Sequence, residues 1–562
     1  MEMRKKKLPI GIENFEEIRK EDFYYIDKTG LIVELLHNWG AVNLFTRPRR
    51  FGKTLNMSML EHFFSMNGDK SIFDGLEISK EAGLIEEYMG KYPVVSISLK
   101  GIDARNYEMA FQMAVQIITE AAAKSYFLLD SEKLNEYDKA EYKRLLDKNM
   151  NEAMASNSLK ALSGMLEKHY STKVILLIDE YDVPLAKAHV NGYYDQMISF
   201  IRNLLGQTLK TNSSLKFAVL TGCLRISKES IFTGLNNLKV LSIADERFDE
   251  YFGFTDKEVK ELLEYYDVMD HYDTIKRWYD GYQFGNVEVY CPWDVLNHCD
   301  RIRSESDVQP ENYWINTSSN DAVKRFIRES ANATTKREIE RLVAGETITK
   351  EIHQELTYPE MYQTIDNIWS LLFTTGYLTQ RGKAEGRQIK LAIPNLEIRD
   401  IYVTQIMEFF KENVRGDGDT LSRFCDALQN GNAEGVEKVF TEYLRRSISI
   451  RDTFIKNSMK ENFYHGVLLG ILGVKDCWGV SSNREMGEGY ADILAEPDAG
   501  NLGIIIEVKY AHDGNLDRAC QEALKQIEHT KYEEDLFDDG VENILKYGIA
   551  CYKKRCKVIL AE

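Results

Sequence analysis

Short apolar runs separated by helical patterns mark the first 250 residues. β-Branched and aliphatic stretches recur at 41–46, 93–99, 174–178, 216–221 and 238–243, and the segments between them repeat apolar positions at helical spacing. Strands that alternate with helices predict a parallel sheet covered by helices, because parallel neighbours need long crossover connections. In 196–209, Met197, Phe200, Ile201, Leu204 and Leu205 share one helical stripe, as a crossover helix packed on that sheet requires. From about 255 to 330 the pattern becomes aromatic and mostly helical, with Trp278-Tyr279-Asp280-Gly281-Tyr282-Gln283-Phe284-Gly285 at its centre, and reads as a lid or a helical appendage. Residues 367–373 read as an apolar helix, followed by strands at 376–379 and 388–393 around a polar turn, a helix with a two-stranded wing. Arg415-Gly416-Asp417-Gly418-Asp419 reads as a boundary or a loop, and helices and a strand-rich end follow it. No fixed-period repeat or low-complexity tract is present.

At 562 residues the chain should hold several domains, and its 44% hydrophobic and 28% charged residues fit a globular protein able to bury large cores. Collagenous and wholly disordered classes are excluded. No apolar run nears the roughly 18 residues of a membrane span, and the basic start is followed by Pro9 and mixed polar residues, unlike a signal peptide. No membrane association and a cytoplasmic location are expected. Eight scattered cysteines, with no Cys-x-x-Cys and no His at zinc spacing, read as reduced thiols. A net charge of -18 argues against indiscriminate coating of nucleic acid and leaves room for a local basic groove.

The first candidate chemistry follows the run at 41–46. Arg47-Pro48-Arg49-Arg50-Phe51-Gly52-Lys53-Thr54 leads into an amphipathic helix with Leu55, Met57, Leu60 and Phe63. In a strand, loop and helix of this kind, backbone N–H groups cradle phosphates, the lysine reaches the β and γ oxygens, and the threonine hydroxyl ligates Mg²⁺. Gly52, Lys53 and Thr54 take those parts, while Arg47 stands where a P-loop normally has its first glycine. Residues 173–180 form an apolar strand that ends in Asp179 and Glu180, the Walker B pattern: Asp179 for the Mg²⁺ shell, Glu180 to orient and deprotonate the attacking water. The plain alternative is an acidic turn after a core strand. Thr221, at the end of 216–221, is the candidate γ-phosphate sensor, and Arg225 the candidate cation for transition-state charge, in cis or in trans, or else a structural arginine. Arg47, Arg49 and Arg50 are candidate phosphate contacts, or a basic loop that serves only the fold.

These stretches, together with Pro9-Ile10-Gly11 and Phe15, Tyr25-Ile26-Asp27-Lys28-Thr29, Leu177-Ile178-Asp179-Glu180-Tyr181-Asp182, 278–284 and Tyr313-Trp314-Ile315-Asn316-Thr317-Ser318, resemble the bacterial and archaeal AAA-ATPase-like proteins fused to a PD-(D/E)xK superfamily nuclease. The likeness covers nearly the whole chain, and Arg47 in place of the first glycine looks like the family's own pattern. The resemblance implies ATP and Mg²⁺ at the first site.

A second candidate site lies near the C-terminus. Asp492 in Gly489-Tyr490-Ala491-Asp492 precedes a run at 503–509 in which Glu507 and Lys509, two apart on a strand, share a face. Two carboxylates bind Mg²⁺, with Mn²⁺ an alternative, and the lysine activates water or offsets charge on the reacting phosphate. Asp492, Glu507 and Lys509 match the PD-(D/E)xK motif, with Ala491 in place of its proline. Glu461 and Glu485 are candidate further acids, and Gln526, in a helix after the lysine strand, resembles the glutamine often found there. A surface strand of alternating charges is the alternative for the triad. Trp278, Tyr279, Tyr282 and Phe284 read as core or as a stacking platform, Arg381, Lys383, Arg387 and Lys390 as a DNA-backbone contact or a hinge, and His465 as a hydrogen-bonded helix-face residue.

The expected fold is thus α/β. A P-loop ATPase core spans 1–250, a helical lid 251–330, a winged-helix-like region 331–415 and a restriction-endonuclease-like domain 416–562. The expected function is an Mg²⁺-dependent ATPase coupled to a nuclease, DNA the favoured substrate, with the oligomeric state open. The alternative is a nucleotide-switched nucleic-acid-binding or scaffold protein whose C-terminal domain does not cut.

Overall fold

Five parallel strands, Val42–Thr46 (β1), Val94–Ser98 (β2), Val174–Asp179 (β3), Leu215–Gly222 (β4) and Leu238–Leu241 (β5), form a sheet in the order β2-β3-β4-β1-β5. Every apolar run marked in the first 250 residues supplies one of them. β1 and β3 are buried along their whole length, because helices cover both faces of a parallel sheet and leave no polar face to alternate with. The helix Tyr194–Leu209 buries all five residues of its stripe. With β4 between β3 and β1, the C-terminal ends of these three strands lie side by side, the place where open α/β sheets bind ligands.

The computed structural model describes residues 5–225, 237–305, 308–314, 321–329, 333–361, 363–382, 386–415, 418–447, 460–472, 478–486, 489–497, 502–530, 536–537, 541 and 543–561. Ile315 to Ser318, Lys383, Gly416, Asp417 and the side chain of Glu485 lie outside the described residues. The chain divides into two compact units, Met1–Ser319 with Thr349–Ile398, and Asn320–Ile348 with Arg399–Glu562. Residues 251–319 and 349–398 thus belong with the parallel sheet, whereas 331–348 group with the C-terminal part.

Within the first unit, Phe254–Thr255 (β6), Tyr282–Phe284 (β7) and Val287–Tyr290 (β8) make an antiparallel sheet in the order β6-β8-β7. Thr255 caps the helix Asp256–Tyr266 through a reciprocal box with Glu258. Tyr279, Tyr282 and Phe284 are no more than 2% exposed, so these aromatics are core and not an open stacking platform. Gly281 has φ +90°, and a Cβ there would lie 2.2 Å from the carbonyl of Pro394, so only glycine fits this turn. The predicted helix is Ile365–Thr374. The predicted wing is Thr379–Gln380 and Gln388–Ala392, an antiparallel pair joined in a three-stranded sheet by Ile348–Glu351 (β9, with the pair as β10 and β11).

In the second unit, Trp478–Met486 (β12), Gly489–Pro497 (β13), Leu502–Tyr510 (β14), Asn543–Tyr552 (β15) and Arg555–Leu560 (β16) pair in that order. β14 and β15 are parallel and the other neighbours antiparallel. Ile504, Ile506 and Val508 pack with the helices Gly418–Gln429, Ala433–Ser447 and Lys460–Leu472. Ile505 packs on the opposite face with Leu524 and Ile527 of the helix Leu516–Thr530. Glu507 and Lys509 therefore project on the Ile505 side, as their spacing requires.

Candidate nucleotide and metal sites

The loop after β1 ends at Gly52, which has φ +77°, caps the helix Lys53–Phe64 and has open space where a side chain would project. Lys53 is 3% exposed. Its ammonium donates to the carbonyls of Arg47 (3.2 Å) and Pro48 (3.0 Å) and pairs with Glu180 Oε1 at 3.2 Å. Burial alone would lower its pKa, but the Cys223 sulfur, Glu180, Asp182 and Asp179 hold it above the usual value. Thr54 Oγ1 donates to Asp179 Oδ2 at 2.9 Å, Ser98 Oγ lies 3.4 Å from the same oxygen, and Thr221 Oγ1 donates to Asp179 Oδ1. Burial raises the pKa of Asp179, against the pull of these hydroxyls. Glu180 is a non-glycine residue at φ +52°, a strained conformation of the kind that collects at functional sites.

Lys53, Thr54, Asp179, Glu180 and Thr221 are thus brought together. The donor set fits a nucleotide with Mg²⁺: a lysine in the loop's concavity, free amides at a helix N-terminus, and a carboxylate flanked by two threonine hydroxyls.

Two of the loop arginines are used otherwise. Arg47 is fully buried; its guanidinium donates to the carbonyls of Thr46 (2.9 Å), Leu241 (2.8 Å) and Phe248 (3.1 Å) and stacks over Phe252 and Phe284. Of the two readings open for Arg47, these contacts favour a loop arginine that serves the fold, since its guanidinium is committed to backbone carbonyls. Arg47→Ala should cost on the order of 3 kcal/mol in urea unfolding, since three buried carbonyls lose their donor and two rings lose a packing partner. A loss below about 1 kcal/mol would count against this anchor.

Arg50 donates to the Tyr313 carbonyl at 2.7 Å and lies over Trp293, so it too points away from Lys53. Arg49 is exposed. Arg225 pairs with Glu355 at 2.8 Å.

Beside Arg50 lies a feature the sequence did not announce. Asp294 and Glu397 are both fully buried, face each other and the Cys291 thiol, and share the Arg50 charge as a favourable ionic neighbour. Burial pushes Asp294 up to about 6, and burial with the Asp294 charge raises Glu397 well above the carboxylate range. Glu397 Oε1 accepts the Trp314 N–H at 2.8 Å. Both folded-state pKa values lie above the unfolded values near 4, so the folded state binds more protons and gains stability as the pH falls through about 6 toward 4. Asp294→Asn removes one of these ionisations. Its melting temperature relative to wild type should be highest above about pH 7 and fall as the pH drops to about 5; a difference independent of pH would contradict the pair.

In the second unit, Asp492 Oδ2 accepts the backbone N–H of Val508 at 2.8 Å, which ties β13 to β14 between the two motif residues Glu507 and Lys509. Lys509 Nζ lies 3.2 Å from Glu507 Oε1. Glu507 is fully buried, and among the described residues its Oε2 has no hydrogen-bond partner. Burial and then the Asp492 charge push Glu507 up to about 7, against the pull of Lys509. A buried carboxylate oxygen left without a donor, beside a second carboxylate, fits a divalent cation. Among the described residues, no three His, Cys, Asp or Glu side chains close on one point to hold a metal, so a cation held here would need backbone or solvent oxygens beside the two carboxylates.

From the helix Lys460–Leu472, Glu461 Oε1 accepts the Tyr510 N–H at 3.3 Å and His465 Nε2 lies 2.7 Å from the Asp492 carbonyl. His465 is the hydrogen-bonded residue expected. Gln526 is half-buried on the helix that covers the Glu507 face. Glu485 lies on β12 opposite Tyr490.

Sequence reasoning passed over Ser98, Asp182 and Cys223 as site residues. Cys223 Sγ lies 3.7 Å from Lys53 Nζ, and burial pushes its thiol up to about 12. Asp182 lies three residues past Asp179, and its place in the acidic stretch 177–182 was its signal in the sequence.

A parallel sheet with a phosphate-type loop and a mixed sheet with a two-carboxylate and lysine constellation define an ATPase-like domain joined to a nuclease-like one. Residues 9–232 match the model of a predicted AAA-ATPase family, and residues 459–560 match that of the PD-(D/E)XK nuclease superfamily. The chain is therefore a fusion of an AAA-ATPase-like domain with a PD-(D/E)XK superfamily domain. It is also 27% identical over 452 residues, 78% of each chain, to an "Uncharacterized protein in vnfD 5'region" of Azotobacter chroococcum mcd 1. Among the described residues, no helix is long and apolar enough to cross a membrane.

Proposed function

We propose that this chain is an Mg²⁺-dependent ATPase whose nucleotide state gates phosphodiester hydrolysis of nucleic acid, DNA foremost, by its C-terminal domain. The observation that carries the reading is that both acid constellations are complete on one chain: Thr54, Thr221 and Asp179 beside Lys53 and Glu180, and Asp492 and Glu507 beside Lys509.

At the first site Lys53 and the loop amides bind phosphate oxygens, Thr54 and Asp179 hold Mg²⁺, and Thr221 keeps Asp179 in place. When phosphate draws Lys53 away from Glu180, that carboxylate is released to take the proton of the attacking water. At the second site Asp492 and Glu507 hold the metal and Lys509 orients water and offsets charge on phosphate. A bound divalent ion supplies Lewis-acid polarisation there.

The test is to incubate wild type with linear, circular and branched DNA and with RNA, in Mg²⁺ or Mn²⁺, with and without ATP, and to follow cleavage and phosphate release together. Cutting that depends on both ATP and Lys53 supports gating, and cutting indifferent to nucleotide removes it. Phosphate release without any cutting favours the nucleotide-switched binding protein.

A further inference from the structure

Asp182 is 2% exposed, and beyond the charge it presents to Lys53 its carboxylate has a local task. Its Oδ2 accepts the backbone N–H groups of Cys223 and Leu224, both at 2.9 Å. These residues form the turn directly after β4, and the last side chain of β4 before the turn's glycine is Thr221, whose hydroxyl is on Asp179. Among the described residues, that one carboxylate is the acceptor of both amides.

The rest of the β3 end is fastened to the same turn. The Glu180 N–H donates to Thr221 Oγ1 at 3.3 Å, the Tyr181 N–H to the Thr221 carbonyl at 3.0 Å, and Tyr181 Oη to the Leu224 carbonyl at 2.6 Å. From the other side, a Cβ on Gly222 would lie 2.7 Å from Asp182 Oδ1 and 2.7 Å from the Tyr181 ring, so the turn closes tightly against both side chains.

We propose that Asp182 is a positioning residue for ATP hydrolysis: by holding the Cys223 and Leu224 amides it sets Thr221 on Asp179 and fixes the start of the segment that carries Arg225. This rests on the ATPase reading above and adds to it a residue that acts through the turn, without touching nucleotide. The role needs an oxygen acceptor of the right shape and not a proton acceptor. Asn at 182 keeps an amide oxygen for the two N–H groups, and Ala does not.

The experiment compares full-length wild type, Asp182→Ala and Asp182→Asn in steady-state phosphate release over a range of ATP concentrations. Amide hydrogen exchange of the peptide spanning 219–225 and thermal melting are measured on the same samples. Asp182→Ala is expected to lower kcat about 10²-fold with KM for ATP little changed, the scale of a displaced catalytic group, and to speed exchange at 223 and 224. Asp182→Asn is expected to recover most of the rate and the protection. Unchanged kcat or unchanged exchange in a folded Asp182→Ala overturns the proposal. Asp182→Asn as inactive as Asp182→Ala, with exchange still slow, overturns it in favour of a role for the charge. If Asp182→Ala does not fold, the Asn variant alone decides by the same readings. Wild type that releases no phosphate under any condition sinks the ATPase reading, and the positioning role with it; wild-type hydrolysis matched by Asp182→Ala sinks the positioning role alone.

Discussion

Lys53→Ala is expected to lower ATP hydrolysis about 10²- to 10³-fold, the usual consequence of removing one preorganised positive contact to transition-state charge. The geometry behind this is the position of the ammonium, enclosed by two loop carbonyls and Glu180 at 3.0–3.2 Å in the concavity ahead of the helix N-terminus. Phosphate oxygens entering that concavity would replace these contacts with stronger charge-assisted ones. The substitution also leaves Glu180, Asp182 and Asp179 without their nearest counter-charge, so folding has to be checked. Lys53→Met, which keeps the apolar stem, serves as the second variant. Melting temperatures near wild type with phosphate release reduced in both variants is the expected result. Hydrolysis unaffected in two folded variants would remove Lys53 from the site, and the nucleotide assignment of the loop with it.

Lys509→Ala is expected to lower cleavage about 10²- to 10⁴-fold, the range for loss of a group that orients or activates the attacking water. Lys509 Nζ lies 3.2 Å from Glu507 Oε1, while among the described residues Glu507 Oε2 has no hydrogen-bond partner. Removing the lysine leaves a fully buried carboxylate beside Asp492, another anion, so a metal ion should become more, not less, important to that carboxylate. Mn²⁺ binding by calorimetry should therefore persist in Lys509→Ala while cutting disappears, and should be lost in Asp492→Ala. Cleavage that survives Lys509→Ala would assign the activity elsewhere, and Mn²⁺ binding unaffected by Asp492→Ala would move the metal off these carboxylates.

Much of this arrangement is legible in the chain because local patterns determine it. The five strands of the parallel sheet, the crossover helix Tyr194–Leu209 and the strands β13 to β16 follow from apolar runs and their periods, which burial of one or both faces imposes directly on the residues. The spacing of Glu507 and Lys509 determines that they share a face, since a strand alternates every second residue. Asp179 and Glu180 are legible for the same reason: an apolar strand has to end, and its first polar residues stand at the sheet's ligand-binding edge.

β12 went unread, because its residues, from Trp478 through Ser481, Ser482, Asn483 and Arg484, carry no apolar run, and pairing with β13 alone makes it a strand. The three loop arginines look alike in the sequence, yet Arg47 is buried on three carbonyls, Arg50 lies on Tyr313 and Trp293, and Arg49 is exposed. Their difference depends on residues more than 190 positions away along the chain, which no local pattern encodes. Nor does a local pattern encode Asp294 against Glu397 or Asp182 against the turn after β4, partners that are also far apart along the chain.

By itself, then, the sequence determined which segments are strands and helices and which residue types stand at their ends, because those follow from period, propensity and hydrophobic burial within a dozen residues. Only the tertiary structure decided which of several equivalent charges stands beside Glu180, which is spent on backbone and which is buried against another acid. The cost of burying a charge depends on what the fold brings beside it from distant parts of the chain.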